Sequence, residues 1–112
     1  MRISFQTMPQ TAIPHFYGGE GETHAQMFCD SNGKIMRGEL PPGASIGPHR
    51  HETNGEILFI LQGMGHAVCD GETEPLRAGD CHYCPPGHSH SLHNDGQAPL
   101  FFFAVVPEYH RG

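Results

Sequence analysis

The sequence predicts an all-β domain, and three observations carry that reading. Fifteen glycines and ten prolines are spread along 112 residues, the punctuation of short strands joined by tight turns. No stretch offers a long, uninterrupted amphipathic helix. Turn dipeptides recur between apolar runs, at Asn32-Gly33, Asn54-Gly55 and Asp70-Gly71. A chain of this length makes one domain, large enough for one core and too small for two.

Taken in order, residues 1–23 read as an irregular segment, broken by Pro9, Pro14 and Gly18-Gly19, with the option of adding an edge strand. A strand from about His24 to Asp30 then meets the Asn32-Gly33 turn, and a second, Lys34 to Leu40, returns. Pro41-Pro42-Gly43 breaks the chain before an extended stretch, Ala44 to His51. Glu52 to Gly55, with its Asn-Gly dipeptide, predicts a hairpin that turns back into Ile57 to Gln62, with Glu56 opening that strand. Gly63-Met64-Gly65 closes it. His66 to Cys69 and Glu74 to Arg77 pair around Asp70-Gly71. Cys81 to Cys84, His88 to His93 and Leu100 to Val106 complete the set. No internal repeat is visible.

Seven of the ten histidines fall between residues 49 and 93. Alternate side chains of a strand share a face, so His49 and His51 project side by side. Glu56 reaches them across the expected hairpin, and His90 comes from elsewhere in the fold. Three imidazoles and one carboxylate form a mixed nitrogen and oxygen set. Such a set suits one divalent transition metal ion (Fe, Mn, Ni, Zn, Co or Cu) better than Ca or Mg.

These residues also carry a resemblance. Gly43 to Gly63, GASIGPHRHETNGEILFILQG, resembles the first signature of the cupin superfamily: Gly, five residues, His-x-His, four residues, Glu, six residues, Gly. Gly79 to Asn94, GDCHYCPPGHSHSLHN, matches the second at every fixed position: Gly, five residues, Pro-x-Gly, two residues, His, three residues, Asn. The fifteen residues between them, Met64 to Ala78, resemble the short spacer of small microbial cupins, and motifs plus spacer cover about half the chain. The resemblance implies an antiparallel jelly-roll barrel, a double-stranded β-helix, over residues 24–112. It also implies that His49, His51, Glu56 and His90 hold one metal ion inside that barrel.

Strand phase sorts the neighbours of these ligands. From Glu56 the inward set continues with Leu58 and Ile60, an apolar wall for a substrate pocket. With His90 inward, His88 and Leu92 share its face, and Tyr83 is expected to add aromatic surface to the same pocket. Arg50 and His93 face outward. His15, His24, His66 and His110 read as surface or satisfied polar residues, and His82 falls with them. Apolar residues occupy both faces of Ile57 to Leu61 and of Leu100 to Val106, so something must cover the outer face; a second sheet layer covers part, and a homodimer the rest.

Composition excludes several classes. The formal charge is −6, and the six basic residues form no cluster, which argues against a nucleic-acid partner. The longest apolar run, Leu100 to Val106, falls far short of the roughly 20 residues of a membrane helix, and the N-terminus shows no targeting or lipidation signal. A cytoplasmic protein is the simplest expectation. Cys81 and Cys84 form a single CxxC whose thiols, three apart on a strand, face opposite sides. They and Cys29 and Cys69 read as small reduced hydrophobes.

Four protein ligands around an octahedral ion leave about two positions for water, substrate or dioxygen. The chemistry expected is therefore that of a metal-dependent enzyme acting on a small molecule: a dioxygenase, an isomerase or a lyase. A non-catalytic binding or sensing cup is the alternative. No residue is assigned as general acid or base.

Overall fold

The computed structural model describes residues 1–109; His110 and Arg111 lie outside the described residues. Among the described residues ten strands follow one another: β1 (Thr11–Pro14), β2 (Glu22–Asp30), β3 (Gly33–Leu40), β4 (Ser45–Arg50), β5 (Glu56–Gln62), β6 (Met64–Cys69), β7 (Glu72–Arg77), β8 (Cys81–Cys84), β9 (Ser89–Asn94) and β10 (Leu100–Pro107). One six-stranded sheet has the order β1-β2-β3-β10-β5-β8, and a four-stranded sheet has the order β4-β9-β6-β7. Every pairing is antiparallel. Among the described residues no ladder joins the two sheets, so what stands is two antiparallel sheets around one core, without the backbone closure that a barrel implies.

The core lies between the sheets. Leu40, Leu58, Ile60, Leu100 and Phe102 enter it from the larger sheet, and Ile46, Ala67, Leu76 and Leu92 from the smaller. The phase counted from Glu56 is visible in the burial of β5: Glu56, Leu58 and Ile60 point inward, while Ile57, Phe59 and Leu61 remain exposed. At the β6–β7 corner Asp70 and Gly71 both adopt positive φ, 50° and 84°, the backbone a two-residue hairpin requires. Thr11 to Pro14, inside the segment read as irregular, pairs with the outer edge of β2.

The expected hairpin at Glu52 to Gly55 does not form. β4 ends at Arg50 in the small sheet, and Glu56 begins β5 in the large one, so residues 51–55 carry the chain across from sheet to sheet. Asn54, the residue that promised a turn, is occupied otherwise. Its amide donates to the Glu108 carboxylate at 2.8 Å, and its side-chain oxygen faces the His51 ring at 2.7 Å. Gly55 sits close to the Cys84 carbonyl and takes no positive φ.

A β-bulge shapes β4. Ile46 pairs with Leu92, but His49 pairs with His90, so three steps on β4 oppose two on β9. Without the extra residue, side chains three apart would face opposite sides; with it, buried Ile46 and His49 both turn inward. Gly47 and Pro48 occupy the irregularity, where a residue without a side chain and one without an N–H are tolerated.

The outer face of the large sheet is part covered. The Phe5 ring packs on Phe103 with centroids 5.5 Å apart, and Gln26 donates to the Met8 carbonyl at 2.6 Å, tying the N-terminal residues over that edge. Ile57, Phe59, Leu61, Tyr83 and Val105 stay exposed. Among the described residues, no helix is long and apolar enough to cross a membrane.

Candidate metal centre

The four side chains singled out by their spacing meet. His49 and His51 come from β4 and the residue after it, His90 from the neighbouring β9, and Glu56 from the facing sheet. One ligand atom from each lies within 4.8 Å of the others. Glu56 Oε1 is 2.9 Å from His90 Nε2, 3.0 Å from His51 Nε2 and 3.5 Å from His49 Nε2. His90 Nε2 stands 3.0 Å from both His49 Nε2 and His51 Nε2.

These separations fit a shared ion. Donors about 2.1 Å from one ion and at right angles to each other stand about 3 Å apart. Three imidazole nitrogens at such distances lack the protons to satisfy one another, whereas a cation would satisfy all three and the carboxylate together.

The outer ring nitrogens agree. His49 Nδ1 lies 2.9 Å from the Gly47 carbonyl and His51 Nδ1 2.7 Å from Asn54 Oδ1, both acceptors. A neutral ring that donates to these acceptors carries its proton on Nδ1, which leaves Nε2 as a lone pair for an ion. His90 Nδ1 is 3.0 Å from His82 Nε2.

Electrostatics follow from burial and contact. Burial pushes the Glu56 carboxyl up, but its three imidazole contacts outweigh that and hold it well below the usual carboxylate range. His51 is raised above its ordinary value, chiefly by the hydrogen bond to Glu56. His90 is lowered, burial being the main cause.

A cavity of about 350 Å³ opens beside the cluster. Its lining includes Tyr17, Lys34, Met36, Ile46, Arg50 and Val106 together with His49, His51 and Glu56. The pocket residues expected from strand phase lie elsewhere. Leu58, Ile60 and Leu92 do point inward, yet they are consumed by the hydrophobic core. His88 sits on the surface against Asp70. Tyr83 is exposed on the outer face, paired with Ile57, because β8 runs in the opposite phase with His82 and Cys84 inward. Arg50 is exposed, as expected, and reaches the rim with its Nε 3.7 Å from Glu52.

Two contributors escaped the sequence reading. Tyr17 stacks on His49 with centroids 4.2 Å apart and planes 16° from parallel, and Phe16 stacks behind it at 4.5 Å. Tyr17 and His15 are held at φ of 51° and 49°, a left-handed backbone that costs non-glycine residues energy. His82, fully buried, backs His90 and is itself 3.0 Å from Glu74 Oε1. The strand Cys81 to Cys84 alternates no apolar with polar residues, so its phase left no signal for His82. Cys81 is exposed and Cys84 buried on opposite faces, and burial together with the neighbouring Cys69 pushes the Cys84 thiol up to about 12, leaving it inert.

Comparison with known proteins agrees with the arrangement. The family model described as Cupin domain matches residues 36–106. A protein of Thermotoga maritima named oxalate-binding protein is 36% identical over 100 residues, covering 84% of this chain and 83% of that protein. An uncharacterized protein of Methanocaldococcus jannaschii is 31% identical over 77 residues, covering 69% of this chain and 62% of its own length. The crystal structure of a predicted oxalate decarboxylase from Thermotoga maritima superposes with a TM-score of 0.92 at 32% identity, covering 97% of this chain and 100% of that one. The cupin domain of Schizosaccharomyces pombe Cnp3 shares the fold, with a TM-score of 0.80 at 14% identity over 96% of this chain and 74% of that one.

Proposed function

The chain belongs to the cupin domain family, and from that premise we propose that His49, His51, Glu56 and His90 hold one divalent transition metal ion in a jelly-roll cup. The protein acts there as a metal-dependent enzyme of the lyase type on a small carboxylate. The observation that carries the metal assignment is the convergence of three Nε2 atoms and one carboxylate oxygen at 2.9–3.5 Å. When bound, such an ion polarises the oxygens of a coordinated substrate and takes up charge that develops on them.

The substrate class rests on the cavity and on the relatives. Lys34 and Arg50 stand in the lining beside Glu52 and Glu56, so the bound divalent ion would leave the cavity positive and favour an anion there. Relatives named for oxalate binding and for predicted oxalate decarboxylation point to the same chemistry. The first of those names favours a second reading, a cup that binds the carboxylate without transforming it.

Metal analysis of protein purified without a histidine tag tests the assignment. One divalent transition metal ion per chain is expected, and a stoichiometry near zero after incubation with Mn, Fe, Co, Ni, Cu and Zn would overturn it. Calorimetry should then show oxalate binding to the metal-loaded protein and none to chelator-treated protein. Release of carbon dioxide separates the enzyme from the binder.

Two further outcomes follow. Protons compete for the ligand nitrogens, and the raised value of His51 places the start of that competition above pH 6.5. Metal affinity should therefore be greatest at neutral to mildly alkaline pH and fall as the solution is acidified; constant affinity between about pH 8 and pH 5.5 would contradict the ligand set. The patch of Ile57, Phe59, Leu61 and Val105 on the large sheet is apolar and exposed, and a second copy of the chain is its proposed occupant. Light scattering at micromolar concentration should give a dimer mass, and Phe59→Asp should give a monomer.

A further inference from the structure

Behind the metal cluster stands a pair of residues that the coordination scheme does not use. His82 on β8 is 2% exposed, and its two ring nitrogens have different partners: Nε2 is 3.0 Å from His90 Nδ1, and Nδ1 is 3.0 Å from Glu74 Oε1. The rings of His82 and His90 lie 21° from parallel. Glu74, on β7, is half exposed at its other end.

This chain of contacts has a direction. An ionised carboxylate only accepts, so Glu74 requires the His82 proton on Nδ1. A neutral His82 then has a bare Nε2, which can only accept, and so requires the His90 proton on Nδ1. With an ion between the ligands, His90 is left with a lone pair on Nε2, the atom that faces Glu56 and the other two imidazoles. His49 and His51 get the same instruction from fixed acceptors, a backbone carbonyl and an amide oxygen. His90 gets it through a residue that could equally give the opposite one.

We propose that Glu74 and His82 are positioning residues, which fix the tautomer and orientation of His90 so that Nε2 is presented to the ion. The proposal rests on the metal reading, because without an ion Glu56 Oε1, 2.9 Å from His90 Nε2, calls for a proton on that atom, and the Glu74–His82 pair opposes that demand. Its sharpest form is a reversal. A donor in place of Glu74 would force His82 to carry its proton on Nε2, and His90 would then have to accept at Nδ1 and carry its own proton on Nε2, which blocks coordination.

Two measurements on the full chain test this. Long-range proton–nitrogen NMR at about pH 8, where imidazoles are neutral, should show His82 and His90 both as Nδ1–H forms in wild type loaded with diamagnetic Zn(II), and both as Nε2–H forms in metal-free Glu74→Lys. Competition of Co(II) against a chromophoric chelator should show affinity falling about 10–100-fold in His82→Leu, the range for lost partners behind a metal ligand. Glu74→Lys should fall at least as far as Glu74→Ala. His82→Gln, whose amide oxygen can accept from His90 while its nitrogen donates to Glu74, should restore affinity to within a few-fold of wild type, a rescue that mere filling of space would not give. Glu74 is exposed enough that its variants should fold even where His82→Leu does not. His82 in the Nε2–H form in Zn(II)-loaded wild type, or wild-type affinity in Glu74→Lys, would overturn the proposal. Absence of Co(II) and Zn(II) binding by wild type would instead overturn the metal reading and leave the Glu74–His82 hydrogen bond standing without a consequence for coordination.

Discussion

Glu56→Ala is expected to abolish stoichiometric metal binding, with a loss larger than the roughly 10–100-fold that removal of a partner behind a ligand costs. Glu56 supplies the anionic donor of the set, and it alone reaches the cluster from the six-stranded sheet. Its Oε1 touches all three imidazoles, so no neighbouring side chain can substitute for it. His51→Ala should act in the same direction, because it removes both a donor nitrogen and the contact that seats Asn54. The check is metal content per chain after equilibration with excess ion and desalting, alongside circular dichroism to establish that the strands persist. Full occupancy retained in both variants would refute the ligand assignment.

Gly47→Ala should have the second large effect, on architecture first and on the site through it. A Cβ at Gly47 would lie 2.1 Å from the Tyr17 carbonyl oxygen, and one at Gly19 would lie 2.0 Å from the Ser45 carbonyl oxygen. The loop that carries Tyr17 and strand β4 are thus in backbone contact from both sides, with no flexible side chain available to yield. Overpacking of this kind costs about 1–3 kcal/mol. The cheapest relief is for the loop to lift, which takes the Tyr17 ring off His49. Thermal denaturation should show the loss of stability, and the ring-current shift that Tyr17 imposes on the His49 ring protons should collapse. A melting temperature and a ring-current shift both equal to wild type would show that the two backbones are not packed as described.

What could be read from the sequence follows from which interactions are local. His49 and His51 are two apart, and a strand puts such residues on one face whatever surrounds it, so the pair was readable at once. The inward phase of Glu56, Leu58 and Ile60 was readable for the same reason. The destination of β5 was not, because Asn54-Gly55 carries a turn signal that long-range bonds to Glu108 and His51 override. Nor was the bulge at Gly47-Pro48, which makes Ile46 and His49 neighbours on one face despite an odd spacing. In β8 the residues Cys81, His82, Tyr83 and Cys84 offer no apolar alternation, so aromatic Tyr83 seemed the better pocket residue, while register with β5 turns His82 inward instead. Tyr17 was hidden for a different reason: its position depends on two backbones touching more than twenty-five residues apart, and side-chain pattern records nothing of that.

The His15–Gly19 loop lies well ahead of the stretch from His49 to His90 that supplies every proposed donor. Coordination and admission are therefore written on separate pieces of chain. A handful of residues before β2 can be exchanged without replacing a proposed donor, as long as Gly19 and its counterpart Gly47 are kept, Tyr17 being stacked on one of those donors, His49. Replacing Tyr17 with larger, smaller or charged side chains would then screen guests at the doorway while the chemistry behind it stays constant, which makes this loop the natural place to start when a new specificity is to be built.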